Sequence, residues 1–239
     1  MKFLNWLAIA PAWILAAAIA QAAPRFEDSM AQRTLACTGC HGKEGRAGPD
    51  GYYPRISGKP AGYLYNQLLN FRDGRRHYGL MARLLDPLSD AYLLEIAQHF
   101  AALDLPYAAP PPATAAPAQL QRGQALVREG DPAHDIPACV QCHGDALTGA
   151  APNTPGLLGL SRDYLNSQLG AWRTGQRRAH APDCMARIAR QLSPEDVAAV
   201  AAWLAAQPLP RDTRAVATLP RPPAILCGSA MRPAGRPQP

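Results

Sequence analysis

Cys37-Thr38-Gly39-Cys40-His41 and Cys139-Val140-Gln141-Cys142-His143 place two thiols beside an imidazole, twice in one chain. Thiols at this spacing can form thioether bonds to the two vinyl groups of a porphyrin. The adjacent histidine can then bind the iron from the same side. This is the attachment signature of c-type haem. A single copy could be a redox Cys-x-x-Cys that happens to precede a histidine. Two copies 102 residues apart, each followed by similar sequence, point instead to two covalently bound haem c groups with iron at their centres. On this reading Cys37, Cys40, Cys139 and Cys142 attach the haems, and His41 and His143 are the proximal ligands.

The group on the far side of each iron decides the chemistry. A thioether stabilises ferrous iron, raises the potential and closes the iron to outside ligands. Met81 lies 40 residues after His41, and Met185 lies 42 residues after His143. Each stands seven residues before a Leu-Ser pair. A lone methionine is ordinary core filler, but matched positions in both halves point to Met81 and Met185 as axial ligands. Met30 and Met231 have no counterparts and read as a helix residue and a tail residue. Cys184 and Cys227 are left over from the six cysteines. In an oxidising compartment such a pair suggests a disulfide. Free thiols, or a Cys184 thiolate on the iron, are the alternatives; the thiolate would suggest redox chemistry on sulfur compounds. His77 and His180 read as exposed loop residues, and His99, aligned with Trp203, as a packing residue.

The elements that position these groups are themselves duplicated. Tyr63-Leu64-Tyr65-Asn66-Gln67-Leu68-Leu69-Asn70-Phe71-Arg72-Asp73-Gly74 matches Tyr164-Leu165-Asn166-Ser167-Gln168-Leu169-Gly170-Ala171-Trp172-Arg173-Thr174-Gly175 at an offset of 101. Pro54-x-x-x-Gly58 likewise matches Pro155-x-x-x-Gly159. Leu88-Ser89 and Leu192-Ser193, at an offset of 104, each open an Ala-rich run.

Each module reads as helical. A first helix covers roughly 26–40, or 120–129 followed by a short piece leading into Cys142. A middle helix follows the Pro-x-x-x-Gly loop, with Leu64, Leu68 and Phe71, or Leu165, Leu169 and Trp172, on one face. A last helix starts at Ser89 or Ser193, serine being a good N-cap and Pro194 fitting the first helical position. No strand pattern stands out. Each module has a small core that a covalent haem would complete. Arg72, Arg75, Arg76, Arg173, Arg177 and Arg178 lie near the haem positions, where they could pair with propionates or dock an acidic partner, a solvated basic loop being the alternative; Arg72 and Arg173 match in the repeat and are expected to have a haem-linked structural role.

Lys2, the apolar run 3–20 and Ala20-Gln21-Ala22 read as a signal peptide over 1–22, cleaved near Ala22. An uncleaved anchor is the alternative, since the run is nearly long enough to span a bilayer. The expected organisation is a first module over 23–105, a Pro-rich linker over 106–117, a second module over 118–207 and a Pro/Arg-rich tail over 208–239. The formal charge of +6 is largely cancelled by four haem propionates, so it gives no ground for a nucleic-acid partner.

Taken together, tandem Cys-x-x-Cys-His, Pro-x-x-x-Gly, Tyr-Leu-x-x-Gln-Leu-x-x-aromatic-Arg-x-Gly, Met and Leu-Ser resemble the cytochrome c4 family over about residues 27–207. The resemblance implies an all-α fold of two tandem class I cytochrome c-like domains, each enclosing one covalent haem and packed about a pseudo-twofold axis. It implies a periplasmic dihaem carrier, soluble or loosely membrane-associated, and not an enzyme. Its partners would be redox proteins: a quinol-oxidising complex, a terminal oxidase, or another reductase or dehydrogenase. It also implies His41 with Met81 and His143 with Met185 as ligand pairs. Cys184, the tail with Cys227 and the plain Gly79-Leu80-Met81 depart from the family pattern. Two other functions fit the modules: the haem subunit of a flavocytochrome-like dehydrogenase, or a dihaem enzyme of the peroxidase or thiosulfate-oxidising kind. The enzyme reading needs an open or unusually ligated iron and draws only on Cys184.

Overall fold

The computed structural model describes residues 27–223 and 225–230. The expected signal peptide and Met231 lie outside these residues. The first half contains α1 (Met30–Arg33), α2 (Leu35–His41), α3 (Ala61–Arg72), α4 (Gly79–Leu85) and α5 (Asp90–Ala101). The second contains α6 (Pro117–Arg128), α7 (Val140–His143), α8 (Arg162–Arg173), α9 (Cys184–Gln191) and α10 (Pro194–Ala205). A two-residue hairpin, β1 (Gly149–Ala150) with β2 (Thr154–Pro155), pairs Gly149 with Pro155 in antiparallel fashion.

The last helices start where the sequence chemistry demands. The Ser89 hydroxyl accepts from the Tyr92 N–H to cap α5. Ser193 and Asp196 form a reciprocal capping box on α10, with Pro194 at the first turn. Both middle helices, α3 and α8, follow the Pro-x-x-x-Gly loops as expected.

The continuous first helix expected over 26–40 is instead broken at Thr34. This residue is buried with φ −97° and ψ 11°, and its hydroxyl donates to the Met30 carbonyl at 2.7 Å. Such back-bonding by threonine bends a helix. The Pro-rich segment between the modules is anchored by Arg55, which donates to the Leu105 and Pro106 carbonyls and stacks over the Tyr107 ring at 3.7 Å.

Two apolar cores result. In the first, α3 packs on α5 through Leu64, Leu69, Phe71, Leu93, Ile96 and Phe100. In the second, α6 crosses α10, and Leu126, Val127, Leu165, Leu169, Val200, Trp203 and Leu204 fill the space between α6, α8 and α10. The α6–α10 crossing depends on Gly123, because a Cβ there would stand 2.2 Å from the Ala199 carbonyl oxygen. No helix among the described residues is long and apolar enough to cross a membrane.

The modules meet along the segments that follow α3 and α8. Arg76 pairs with Arg177 in an isolated antiparallel bridge. The His77 N–H donates to the Gln176 carbonyl at 2.9 Å, and the Arg178 N–H to the Arg75 carbonyl at 2.6 Å. The side chains follow the 101-residue offset. Arg76 donates to its own module's Gln67 (3.0 Å) and to Gln168 (2.6 Å) and Tyr164 (3.0 Å) of the other. Arg177 donates to its own Gln168 (2.8 Å) and to Gln67 (3.0 Å) and Tyr63 (3.4 Å) across the interface. This exchange of partners is the pseudo-twofold relation written in hydrogen bonds.

Candidate haem sites

His41 ends α2 and His143 ends α7, and both imidazoles are buried. Each chain segment then leaves its helix through a glycine of positive φ, Gly42 at 74° and Gly144 at 80°. His41 Nδ1 lies 2.8 Å from the Pro54 carbonyl, and His143 Nδ1 lies 2.7 Å from that of Pro155. A carbonyl only accepts, so Nδ1 carries the proton and Nε2 keeps its lone pair for a metal. Burial shifts both imidazoles toward the neutral form. The proline carbonyls act in the opposite direction, and the positive charges of Arg76 and Lys59 reinforce burial at His41 and His143 respectively. The repeated Pro-x-x-x-Gly thus supplies a backbone acceptor to each histidine, a role that residue type alone does not reveal.

Both histidines, all four Cys-x-x-Cys-His cysteines, Met81 and Met185 line one continuous cavity of about 1010 Å³. The methionines do not sit in loops. Met81 lies in α4 and Met185 in α9, two short helices between the middle and last helices. Met81 packs against the first core and Met185 against the second.

Four cations are buried at this cavity: Arg55, Lys59, Arg76 and Arg177. No ion pair among the described residues joins any of them to a carboxylate. Burial, reinforced by the charge of Arg55, brings the Lys59 ammonium down to about 8, and it donates across the interface to the Gly156 carbonyl at 3.2 Å. Burial and the neighbouring Arg76 likewise lower Arg177. Buried cations need counter-charge. An apolar cavity lined by thiols, imidazoles and cations with no carboxylate partner fits an apolar macrocycle carrying carboxylates. The residues present therefore fit two haem groups.

Two expectations about side chains near the haems change. Arg72 donates to the Leu88 carbonyl and pairs with Asp73 and Asp90, while Arg173 donates to the Leu192 carbonyl. They tie the middle helix to the start of the last one and do not line the cavity; Arg76 and Arg177 do. His77 is exposed as expected, but His180 is half-buried and lines the cavity, because the tail lies over it with Ser229 accepting from its N–H at 3.3 Å.

Cys184 and Cys227 form a disulfide. This occupies the Cys184 sulfur and removes the thiolate alternative for the second iron. The tail is fixed at further points. Val216 bridges to Ala150, the Gly228 N–H donates to the Pro182 carbonyl at 3.0 Å, and Asn153 donates to the Ala230 carbonyl at 3.1 Å.

Residues 120–207 match the family model of cytochrome c. The chain is 36% identical to a thiosulfate dehydrogenase electron acceptor of Thiomonas intermedia, over 79% of this chain and 86% of that protein. It is 33% identical to cytochrome c4 of Pseudomonas aeruginosa, over 72% of this chain and 84% of that one. Its backbone superposes on the crystal structure of reduced cytochrome c4 from Pseudomonas stutzeri with a TM-score of 0.63 and 29% identity, covering 73% and 95% of the two chains.

Proposed function

The chain belongs to the cytochrome c4 family, and we propose that it is an exported dihaem electron carrier whose irons are held by His41 with Met81 and by His143 with Met185. Its cofactors are two covalently bound haem c groups. When bound, each supplies one-electron exchange between ferric and ferrous iron. Everything else falls to the chain. Cys37, Cys40, Cys139 and Cys142 provide the thioether links. The carbonyls of Pro54 and Pro155 hold the imidazole tautomer that leaves Nε2 free. The thioethers of Met81 and Met185 favour ferrous iron and keep outside ligands away, which suits a carrier better than a catalyst. Arg76, Arg177 and Lys59 supply positive charge for propionates at the interface. We assign the modules to 23–105 and 118–207, joined by 106–117 and followed by the tail.

The observation that carries this reading is the matched placement of histidine, proline carbonyl, methionine and arginine in both halves of one cavity. The test is the weak far-red charge-transfer band of methionine-ligated ferric haem, calibrated against haem content. Wild type should show the intensity of two such haems per chain. Met81→Leu and Met185→Leu should each remove half of it. An unchanged band in either variant would refute that ligand.

The likeness to a protein named as a thiosulfate dehydrogenase electron acceptor supports a dehydrogenase of that kind as the donor. Rapid reduction of the holoprotein by thiosulfate with a thiosulfate dehydrogenase is the expected result; no reduction would remove that donor. A periplasmic location is supported by the leader-like 1–22 and by the attachment chemistry, and export of a tagged full-length chain tests it.

A further inference from the structure

Five residues of chain lead from Arg76 to Met81, and eight lead from Arg177 to Met185. The repeat offset grows here from 101 to 104, so a longer loop enters α9 than enters α4. With eight residues, α9 is too short to be stable alone and takes its order from what it touches. Its first turn is tied to the loop by Asp183, whose carboxylate accepts from the N–H groups of Ala179 at 2.7 Å and Ala186 at 3.0 Å. Met185 is the second residue of that turn. The tail grips the same loop. Cys227 is bonded to Cys184, directly before Met185. The Gly228 N–H donates to the Pro182 carbonyl at 3.0 Å, and the His180 N–H donates to the Ser229 hydroxyl at 3.3 Å. Gly228 lies so close that a Cβ there would stand 2.1 Å from the Ala181 carbonyl oxygen. The tail is fixed to the body on either side of this contact, by Val216 to Gly149 and Ala151 and by Ala230 to Asn153.

We propose that residues 227–230 are a strap that positions Met185 on the second iron. This rests on the reading of Met185 as an axial ligand. The strap residues touch no iron and act through the loop. They hold residues 180–184, Asp183 couples that loop to the first turn of α9, and the turn carries the thioether. The first module has no cysteine outside its haem motif, so Met81 is held on its shorter loop without a covalent tie. Loosening the strap lets α9 open locally at its N-terminal turn. Met185 then leaves the iron more often, and the sixth position becomes available to a small neutral ligand. The tail thereby keeps the second module a closed electron carrier despite the longer loop.

The test uses the ferric holoprotein carrying Met81→Leu, whose remaining far-red band reports Met185 alone, with imidazole as the competing ligand. Loss of that band on titration measures how readily the methionine gives way, because apparent affinity rises with the open fraction. Cys184→Ser/Cys227→Ser in this background should bind imidazole about tenfold more tightly. Gly228→Val keeps the disulfide but drives the strap from the Ala181 carbonyl, and should give a smaller increase. Gly123→Val perturbs the same module without touching the tail, and should leave the affinity unchanged. Amide hydrogen exchange should quicken over residues 180–187 in both strap variants and stay unchanged over 79–85. An unchanged imidazole affinity in either strap variant overturns the strap. So does a rise in Gly123→Val equal to that in Cys184→Ser/Cys227→Ser, which would make the effect one of general stability. A Met81→Leu chain with no far-red band removes Met185 as a ligand, and the strap with it. A band that is present but indifferent to the strap variants removes the strap alone and leaves the ligand reading intact.

Discussion

The two modules agree where they face the cavity and differ where they face water. Histidine, proline carbonyl, methionine and arginine recur at equivalent places. The first module has a broken N-terminal helix and an uncovered methionine helix, while the second has an unbroken α6 clamped on α10 and a methionine helix under a disulfide-pinned tail. The chemistry facing the cavity is in register between the copies, whereas the disulfide and the close α6–α10 crossing belong to the second alone. Perturbations that look equivalent in sequence should therefore be unequal in effect, except at the shared interface.

The largest expected asymmetry is the disulfide. Cys184 and Cys227 are 43 residues apart, and closing a loop of that length in the unfolded chain contributes about 4 kcal/mol in the chain-entropy model. Cys184→Ser/Cys227→Ser should lower the unfolding midpoint of the second module in a denaturant titration and leave that of the first in place. A shift shared equally by both would show that they unfold as one unit.

Gly123→Val comes next. Its side chain would meet the Ala199 backbone and the Trp203 Cβ, and overpacking of this kind costs about 1–3 kcal/mol. The loss should appear in the second module alone, read by near-ultraviolet circular dichroism.

Arg76→Met and Arg177→Met sharpen the comparison from the other side. Each removes one of two arginine donors from both glutamine carbonyls, which keep the other arginine, and takes a donor from a tyrosine hydroxyl, at about 1–3 kcal/mol. The pseudo-twofold relation predicts equal losses; a difference above about 1 kcal/mol, well outside ordinary scatter, would break it.

A smaller difference is expected at the caps. Ser193→Ala removes half of a reciprocal box and should cost about 1–2 kcal/mol, against about 0.5–1 kcal/mol for Ser89→Ala, whose cap is one-sided.

The smallest effect is set by pH. Arg122 bonds both Asp131 and Asp196, and it holds their carboxyls below the ordinary value of 3.8. A carboxyl lowered on folding adds stability above its unfolded pKa and loses it as pH falls through the lowered one. Arg122→Met should therefore take away this small contribution at neutral pH, where it is fully present, and converge with wild type as pH falls below about 4, so that the acid limb of the second module's stability profile is flattened.

Much of this was legible in the sequence, for reasons that separate by length and by atom type. The attachment motifs, the repeat offsets, the middle and last helices and the serine caps are carried by side-chain identity at fixed spacing. The helices α4 and α9 carry no such signal. They run only seven and eight residues, too short for a periodic signal, although the shared Met-Ala-Arg and the apolar residue after it could have marked them. The β1–β2 hairpin has two residues per strand, below any alternation pattern. The proline acceptors are backbone atoms and leave no trace in residue type. Arg72 and Arg76 both recur at the 101-residue offset, so repetition alone could not say which arginine faces the cavity; only the fold separates the one that braces α5 from the one buried between modules.

The crossed hydrogen bonds at that interface have a consequence for assembly. An interface in which residue i of one half meets residue j of the other, and j meets i, is isologous, the kind that joins identical subunits about a twofold axis. One module bearing the tyrosine, glutamine and arginine at these places would complete the same set of bonds by pairing with a second copy of itself. The segment anchored by Arg55 and Tyr107 therefore adds no bond to that set. It raises the effective concentration of each half for the other, to the millimolar order typical of short tethers, and makes a pairing that would otherwise depend on dilution independent of it.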